Sequence, residues 1–381
     1  VSHAALLTVT TPPPSQWQAA VPVESNPAPA RLVQVAANAS GAAVAVWRQD
    51  GPPAAPSLSI WASRYAPADG WGTPQPVSDG SNAADNPQVA IDADGNAIVV
   101  WPQTDSFRYS IWANRYTAAS GWSGPHLIEG TDGNAGNPQV AVDGAGNAIA
   151  VWWQNASAAS GSPIGTVANR FVAGSGWSGA VAISSHAGNG GTFGPQIAFD
   201  AAGNALATWC WSGATPAPHM WAARHAAAGG WTGAVAIDQE NSTGCSTSPQ
   251  VAFDGAGNAI AVWHRNNGSF DQVRTNRYSA AGGWGTAGWL ASAPPNYSRN
   301  ARVAFDGSGE AIAVWEQQVG ATANAHVMAS RYRPATGWDE PVSIKTDANG
   351  SAFAPRLAID AGGSATVVWY QRDAMNIVYN V

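Results

Sequence analysis

Apolar residues gather along this chain in short blocks broken by Gly, Asn, Asp and Pro, and no stretch carries the spacing of a long amphipathic helix. Residues 87–128 show the pattern: β-type runs at Pro87 to Asp92, Asn96 to Gln103, Ser110 to Tyr116 and Trp122 to Ile128. These runs are mostly apolar on both faces, which fits strands of a sheet sandwiched between neighbouring sheets. Between the first two lies D-x-x-G-N, here Asp92 to Asn96. Asp opens a type I turn by accepting backbone N–H bonds, and Gly takes the position of positive φ. A calcium loop is the alternative reading of D-A-D-G-N, but other copies of the turn lack its second carboxylate.

The four-run unit recurs. It reads, with variations, P-Q-V-A-x-D-x-x-G-N-A-I-A-V-W-x-Q, then a variable stretch, I-W-A-N-R-Y, a short turn and G-W. One tryptophan series falls at Trp47, Trp101, Trp152, Trp209, Trp263, Trp315 and Trp369. A second falls at Trp17, Trp71, Trp122, Trp177, Trp231, Trp284 and Trp338, and both step by 51 to 57 residues. Four strands repeated radially predict an all-β, seven-bladed β-propeller of four-stranded antiparallel blades. The chain opens on a lone fourth-strand segment, Trp17 to Val23, and ends on a third-strand segment, Asn376 to Val381. Pairing the N-terminal strand into the last blade would remove the open sheet edge. The expected organisation is a tail or linker at 1–14, with Pro12-Pro13-Pro14, and a single propeller over 15–381.

Composition narrows the function classes. Net charge is −7, pI about 5.4, and Lys345 is the only lysine, so there is no basic field for nucleic acid. No apolar run is long enough for a membrane span, and no basic-then-apolar leader opens the chain. The numbered residues read as a mature soluble product, secreted or periplasmic, from a bacterial source. The six N-x-S/T sequons, at Asn38, Asn155, Asn241, Asn267, Asn296 and Asn349, are therefore discounted as glycosylation sites.

The repeat resembles those of secreted bacterial seven-bladed propellers, lectins among them, and more distantly the propellers of sialidases. The sialidase S-x-D-x-G-x-x-W box is not reproduced, and the WD and kelch signatures are absent. The resemblance therefore implies architecture and a lectin-like expectation, with no transferable site.

Loops between second and third strands, and between blades, are long and irregular, as at 50–57, 155–165, 184–194, 213–218, 238–248 and 291–300. Varied loops on a fixed scaffold mark the binding face. On the opposite face, Arg64, Arg115, Arg170, Arg224, Arg277 and Arg331 end third strands, and Asp92, Asp143, Asp200, Asp254, Asp306 and Asp360 begin turns. A ring of bonds from each Arg to the next blade's Asp is one reading; degeneracy of terminal repeats is the other.

Departures from the repeat single out candidate ligand-binding residues. The first-strand series reads Gln34, Gln88, Gln139, Gln196, Gln250, Arg302, Arg356, and the series past the marker Trp reads Gln49, Gln103, Gln154, Trp211, Arg265, Gln317, Gln371. Around the exceptions stand His264, Tyr297 and Arg299. Trp211 or Tyr297 would stack on a sugar, and the arginines would take a carboxylate or sulfate. Drift at solvent-exposed positions is the alternative. Cys210 and Cys245 are placed for a disulfide closing a 35-residue loop, worth about 3 to 4 kcal/mol.

No nucleophile–base pair, carboxylate pair or metal cluster is legible; Asp105, Glu240, Asp271 and Asp373 are scattered, as are His186 and His219. No cofactor and no metal are expected. The function expected is a binding propeller for carbohydrate or a cell-surface glycan, possibly acidic. Propeller polysaccharide lyases use His, Tyr and Arg, and His264, Tyr297 and Arg299 match those types, so a lyase or glycosidase acting on a uronate-containing polymer is the alternative. A protein–protein adhesion or scaffold propeller is the third.

Overall fold

The computed structural model describes residues 21–24, 26–51, 58–105, 108–130, 133–155, 165–184, 191–212, 219–238, 244–245, 249–266, 271–290, 297–318, 324–346, 350–360, 362–372 and 379–380. They fall into two compact units, one within Ser15–Phe199 and Ala228–Gly233, the other within Asp200–Ala227 and Ala234–Val381. Secondary structure among the described residues is all β, and none of it is a helix long and apolar enough to cross a membrane.

In the first unit, three antiparallel sheets repeat one order. The first sheet pairs Ala30–Ala37 with Ala43–Asp50, that strand with Leu58–Ala66, and the last with the short Gly70–Trp71 and Gln75–Pro76. The second uses Gln88–Ile91, Ala97–Asp105, Arg108–Thr117, Gly121–Trp122 and His126–Leu127. The third uses Ala135–Val142, Ala148–Gln154, Gly165–Val172 and Gly176–Ala182. The predicted runs at 87–128 are thus strands, with second and third strands longer than the apolar pattern alone marks.

In the second unit Ala205–Ser212 pairs with His219–Ala226, which pairs with Val235–Ala236. The next sheet is built on Gln250–Phe253, Ala259–Asn266 and Asp271–Ser279, and the following one on Ser298–Phe305, Ala311–Gln318 and Ala325–Arg333. The last described sheet is Ala352–Ile359, Ala365–Arg372 and Tyr379–Asn380. The N-terminal tail and most of the segments expected to close the last blade lie outside the described residues.

Sheets are joined face to face by the first tryptophan series. Trp101 packs among Val44, Val46, Ile60 and Val77 of the preceding sheet, and Trp152 among Ile98, Val100, Ile111 and Ile128. Trp263, Trp315 and Trp369 repeat this against the sheets before them. Burying an indole of that size contributes about 4 to 6 kcal/mol. The second series is local: Trp71, Trp122, Trp177, Trp284 and Trp338 meet an aromatic on their own third strand at centroid distances of 5.4 to 5.6 Å.

A buried indole brings an N–H out of water, and the repeat supplies its acceptor. Trp47, Trp101, Trp152, Trp315 and Trp369 each donate Nε1–H to the side-chain oxygen of the Gln two residues on, at 2.8 to 3.4 Å. Spacing of two puts both side chains on one face of the strand. Neighbouring sheets are also stitched by Asn114 Nδ2 to Val77 O, Asn169 to Ile128 O and Asn276 to Ile237 O, each 2.8 Å.

The D-x-x-G-N turns hold their own carboxylates. Asp92 Oδ1 accepts the Asn96 N–H and Oδ2 the Asn96 amide, both at 2.8 Å, with Gly95 at φ +80°; Asp143, Asp200 and Asp254 repeat the arrangement. At three of its six positions the arginine ring takes a different form. Arg64 lies 4.0 Å over the Tyr116 ring of the next sheet and donates to its hydroxyl, and Arg115 lies 5.2 Å over Phe171. Arg331 pairs within its own sheet, with Glu310 at 2.9 Å and Asp306 at 3.9 Å. Asp92 is occupied by its own turn, so the arginine of the preceding sheet turns to the aromatic face instead.

Gln103→Leu should strand the Trp101 N–H in the inter-sheet core and cost about 1 to 3 kcal/mol. Urea unfolding reads this directly; an unmoved midpoint would show that the cap carries no stability.

Candidate functional site

All seven sequence-selected ligand residues lie in the second unit, and the structure sorts them by the way their strand positions face. Trp211 and Arg265 occupy the cap position two residues past Trp209 and Trp263. That position faces the same inter-sheet space as the marker Trp, so Trp211 is 0% and Arg265 4% exposed. Trp211 as an exposed stacking platform, and Arg265 as an open anion contact, are therefore corrected: both are core side chains. Neither replaces the Gln cap, and the Nε1 atoms of Trp209 and Trp263 are buried without a hydrogen-bond acceptor among the described residues.

Tyr297, Arg299 and their neighbours form a cleft of about 260 Å³ at the ends of the last two sheets. It is lined by Tyr297, Arg299, Asn300, Glu316, Phe353 and Tyr370, together with Gln317, Gln318 and Ala325. Tyr297 and Tyr370 are 39% and 37% exposed. The Arg299 guanidinium lies 5.8 Å from the Tyr297 ring centroid, and Phe353 stacks on Tyr370 at 5.5 Å.

Two bulged first strands shape this cleft. Register shifts between Arg299 and Arg302, and between Phe353 and Arg356, with Asn300 at φ +56° and Ala354 at φ +47°. Asn tolerates that left-handed backbone, whereas Ala pays about 1 to 2 kcal/mol. Glu316 offsets this at Ala354. Its carboxylate is buried, accepts the Ala354 N–H at 2.9 Å through Oε2 and faces Arg299 Nε at 3.4 Å through Oε1.

His264 stands on the adjacent sheet, opposite Val273. Burial pushes its pKa from 6.5 down to about 4; the charge of Arg299 lowers it further and Asp271 works the other way. The imidazole is neutral at neutral pH and lies within electrostatic reach of Arg299, but it does not line the cleft that Tyr297 and Arg299 share. His219 is engaged separately: its Nδ1 is 2.6 Å from Asp238 Oδ1, and the same carboxylate accepts the Met220 N–H at 3.1 Å. His186, Glu240 and Asp373 lie outside the described residues.

Arg302 and Arg356 do not line the cleft. They sit at equivalent positions on Ser298–Phe305 and Ala352–Ile359, opposite Val314 and Val368. Cys210 is fully buried and disulfide-bonded; the side chain of Cys245 lies outside the described residues, while its backbone pairs with Arg265.

Glu316, Phe353 and Tyr370 were not singled out from sequence. Glu316 and Tyr370 directly follow a marker Trp, as His264 does, and so point to the opposite face of the strand from the capped indole. That position varies in every copy: Arg48, Pro102, Trp153, Cys210, His264, Glu316, Tyr370. Its variability was the available signal.

No protein-family model matches the sequence, and no curated protein matches it. Among solved structures the chain is similar to an ulvan lyase, a polysaccharide lyase bound to GlcA(1-4)Rha3S, with TM-score 0.53, 10% identity, and coverage of 87% of this chain and 90% of that one. It is also similar to a protein of unknown function from Dyadobacter fermentans, with TM-score 0.47, 13% identity, and 76% and 91% coverage. An α-L-arabinofuranosidase of Fusarium graminearum gives TM-score 0.45, 13% identity, and 76% and 92% coverage. The first likeness establishes the fold class: an all-β chain of repeated antiparallel sheets of propeller type.

Between pH 6.5 and about 4 the unfolded chain protonates His264 more readily than the folded one, so stability falls as pH drops through that window and levels off below it. His264→Gln should flatten this part of the pH–stability curve. An imidazole resonance of His264 titrating near 6.5 in the folded protein would contradict the burial argument.

Proposed function

We propose that the chain is a secreted or periplasmic carbohydrate-binding propeller that takes an acidic saccharide in the Tyr297–Tyr370 cleft. The observation that carries this reading is the pairing of two half-exposed phenol rings with a partly exposed guanidinium in one cleft. Tyrosine rings supply apolar area to the C–H face of a sugar at low entropic cost. Arg299 offers a planar fork for an acid group, with Asn300 and Gln318 at the rim for hydroxyls. The ulvan lyase of like fold holds a GlcA(1-4)Rha3S ligand, which supports an acidic saccharide as the class to test first. The same proposal includes a seven-bladed ring closed by the Trp17–Val23 segment, and a bridge from Cys210 to Cys245. A thiol assay on unreduced, denatured protein should find no free thiol; two would remove the bridge.

Lyase chemistry is the second reading, and one observation favours it: His264 is neutral and electrostatically coupled to Arg299, beside Tyr297. A neutral imidazole can take a proton α to a carboxylate whose charge an arginine offsets.

Binding to immobilised acidic oligosaccharides should fall about tenfold or more in Tyr297→Ala and in Arg299→Ala, the scale of losing a charged hydrogen bond or a stacked ring. Retention of binding in both variants, or none in the parent, defeats the cleft as a saccharide site. Ultraviolet absorbance from an unsaturated uronate product, lost in His264→Gln, would decide for the lyase.

A further inference from the structure

Five copies of the repeat carry Gln at one first-strand position, Gln34, Gln88, Gln139, Gln196 and Gln250, and the last two carry Arg302 and Arg356. The two strands bearing the arginines lie against each other, and each arginine sits two residues past a left-handed residue, Asn300 or Ala354. One glutamine at this position, Gln250, donates its amide to the carbonyl just before it, Pro249 O, at 2.9 Å. Arg302 makes the same bond to Ala301 O at 2.9 Å, and Arg356 to Pro355 O at 3.4 Å.

One N–H of each guanidinium therefore does what the Gln250 amide does, and the rest of a five-donor fork is left over from that bond. Arg31, Arg48, Arg299, Arg331 and Arg333 each face a carboxylate, whereas Arg302 and Arg356 form no ion pair among the described residues. The two instead act on each other: Arg302 is partly buried, and burial together with the charge of Arg356 draws its pKa down to about 10. A single arginine at an exposed strand position is cheap. Two at matching positions on adjacent strands raise the energy of the unliganded protein, and an anion seated between them reverses that repulsion. Planar guanidinium groups also match the geometry of carboxylate and sulfate oxygens.

We propose that Arg302 and Arg356 form an oxyanion site, distinct from the Tyr297–Tyr370 cleft, that holds one sulfate or carboxylate group between the two guanidinium groups. The proposal stands whether or not the cleft binds saccharide. Its chemical class is a singly or doubly charged oxygen anion, free or carried on a larger molecule.

Isothermal titration at fixed ionic strength, with sodium sulfate in one series and sodium acetate in another, tests it on the whole chain. R302Q, R356Q and the double variant restore the residue used by the other repeats, which at Gln250 keeps the bond to the preceding carbonyl. The parent should bind one anion per chain; each single variant should bind it about tenfold or more weakly, and the double variant not at all. Tighter sulfate identifies a tetrahedral ligand and tighter acetate a planar one, and either supports the site. Without added anion the double variant should melt no lower than the parent, because it has lost a like-charge contact. Absence of saturable binding of both anions in the parent, unchanged binding in the double variant, or a lower melting temperature of that variant would each overturn the proposal.

Discussion

A buried indole whose N–H must still be bonded is the constraint on which the rest of the molecule depends. Trp101, Trp152, Trp263, Trp315 and Trp369 fill the space against the preceding sheet, and in five of the seven copies the glutamine two residues past the marker tryptophan accepts its N–H. The cap fixes more than one hydrogen bond. It commits one face of the second strand to the inter-sheet core, which leaves variation to the opposite face, to the first strand and to the connections. Trp211 and Arg265 show what happens when the cap is replaced: the new side chains stay in the core, and the Trp209 and Trp263 N–H groups have no acceptor among the described residues.

Function then collects where that constraint does not reach. Glu316 and Tyr370 each follow a marker tryptophan and face away from the capped indole, and the bulged first strands bring Arg299 and Phe353 into the same cleft. Glu316 links structure and chemistry most directly, since one carboxylate holds the strained Ala354 backbone and faces the guanidinium of the cleft. Like charge is concentrated at the last two sheets, where Arg302 and Arg356 stand at matching positions. The earlier sheets, with Gln in place of Arg302 and Arg356, carry no such pair.

The sequence by itself determined the antiparallel strand order, the turn chemistry and the positions of both tryptophan series, because these rest on local periodicity and on a repeat that supplies its own standard. It also marked Arg302, Arg356, Trp211 and Arg265 as departures from that standard, with His264, Tyr297 and Arg299 around them. Which departures are accessible was a tertiary matter. Trp211 and Arg265 read as exposed exceptions in the chain, yet a spacing of two on a strand places them in the space that a neighbouring sheet fills. The grouping of His264 with Arg299, of Arg302 with Arg356, and of Glu316 with the Ala354 amide also depends on adjacent sheets. Residues about one repeat apart in sequence meet only after those sheets have packed, and burial and field strength at their side chains are products of that packing.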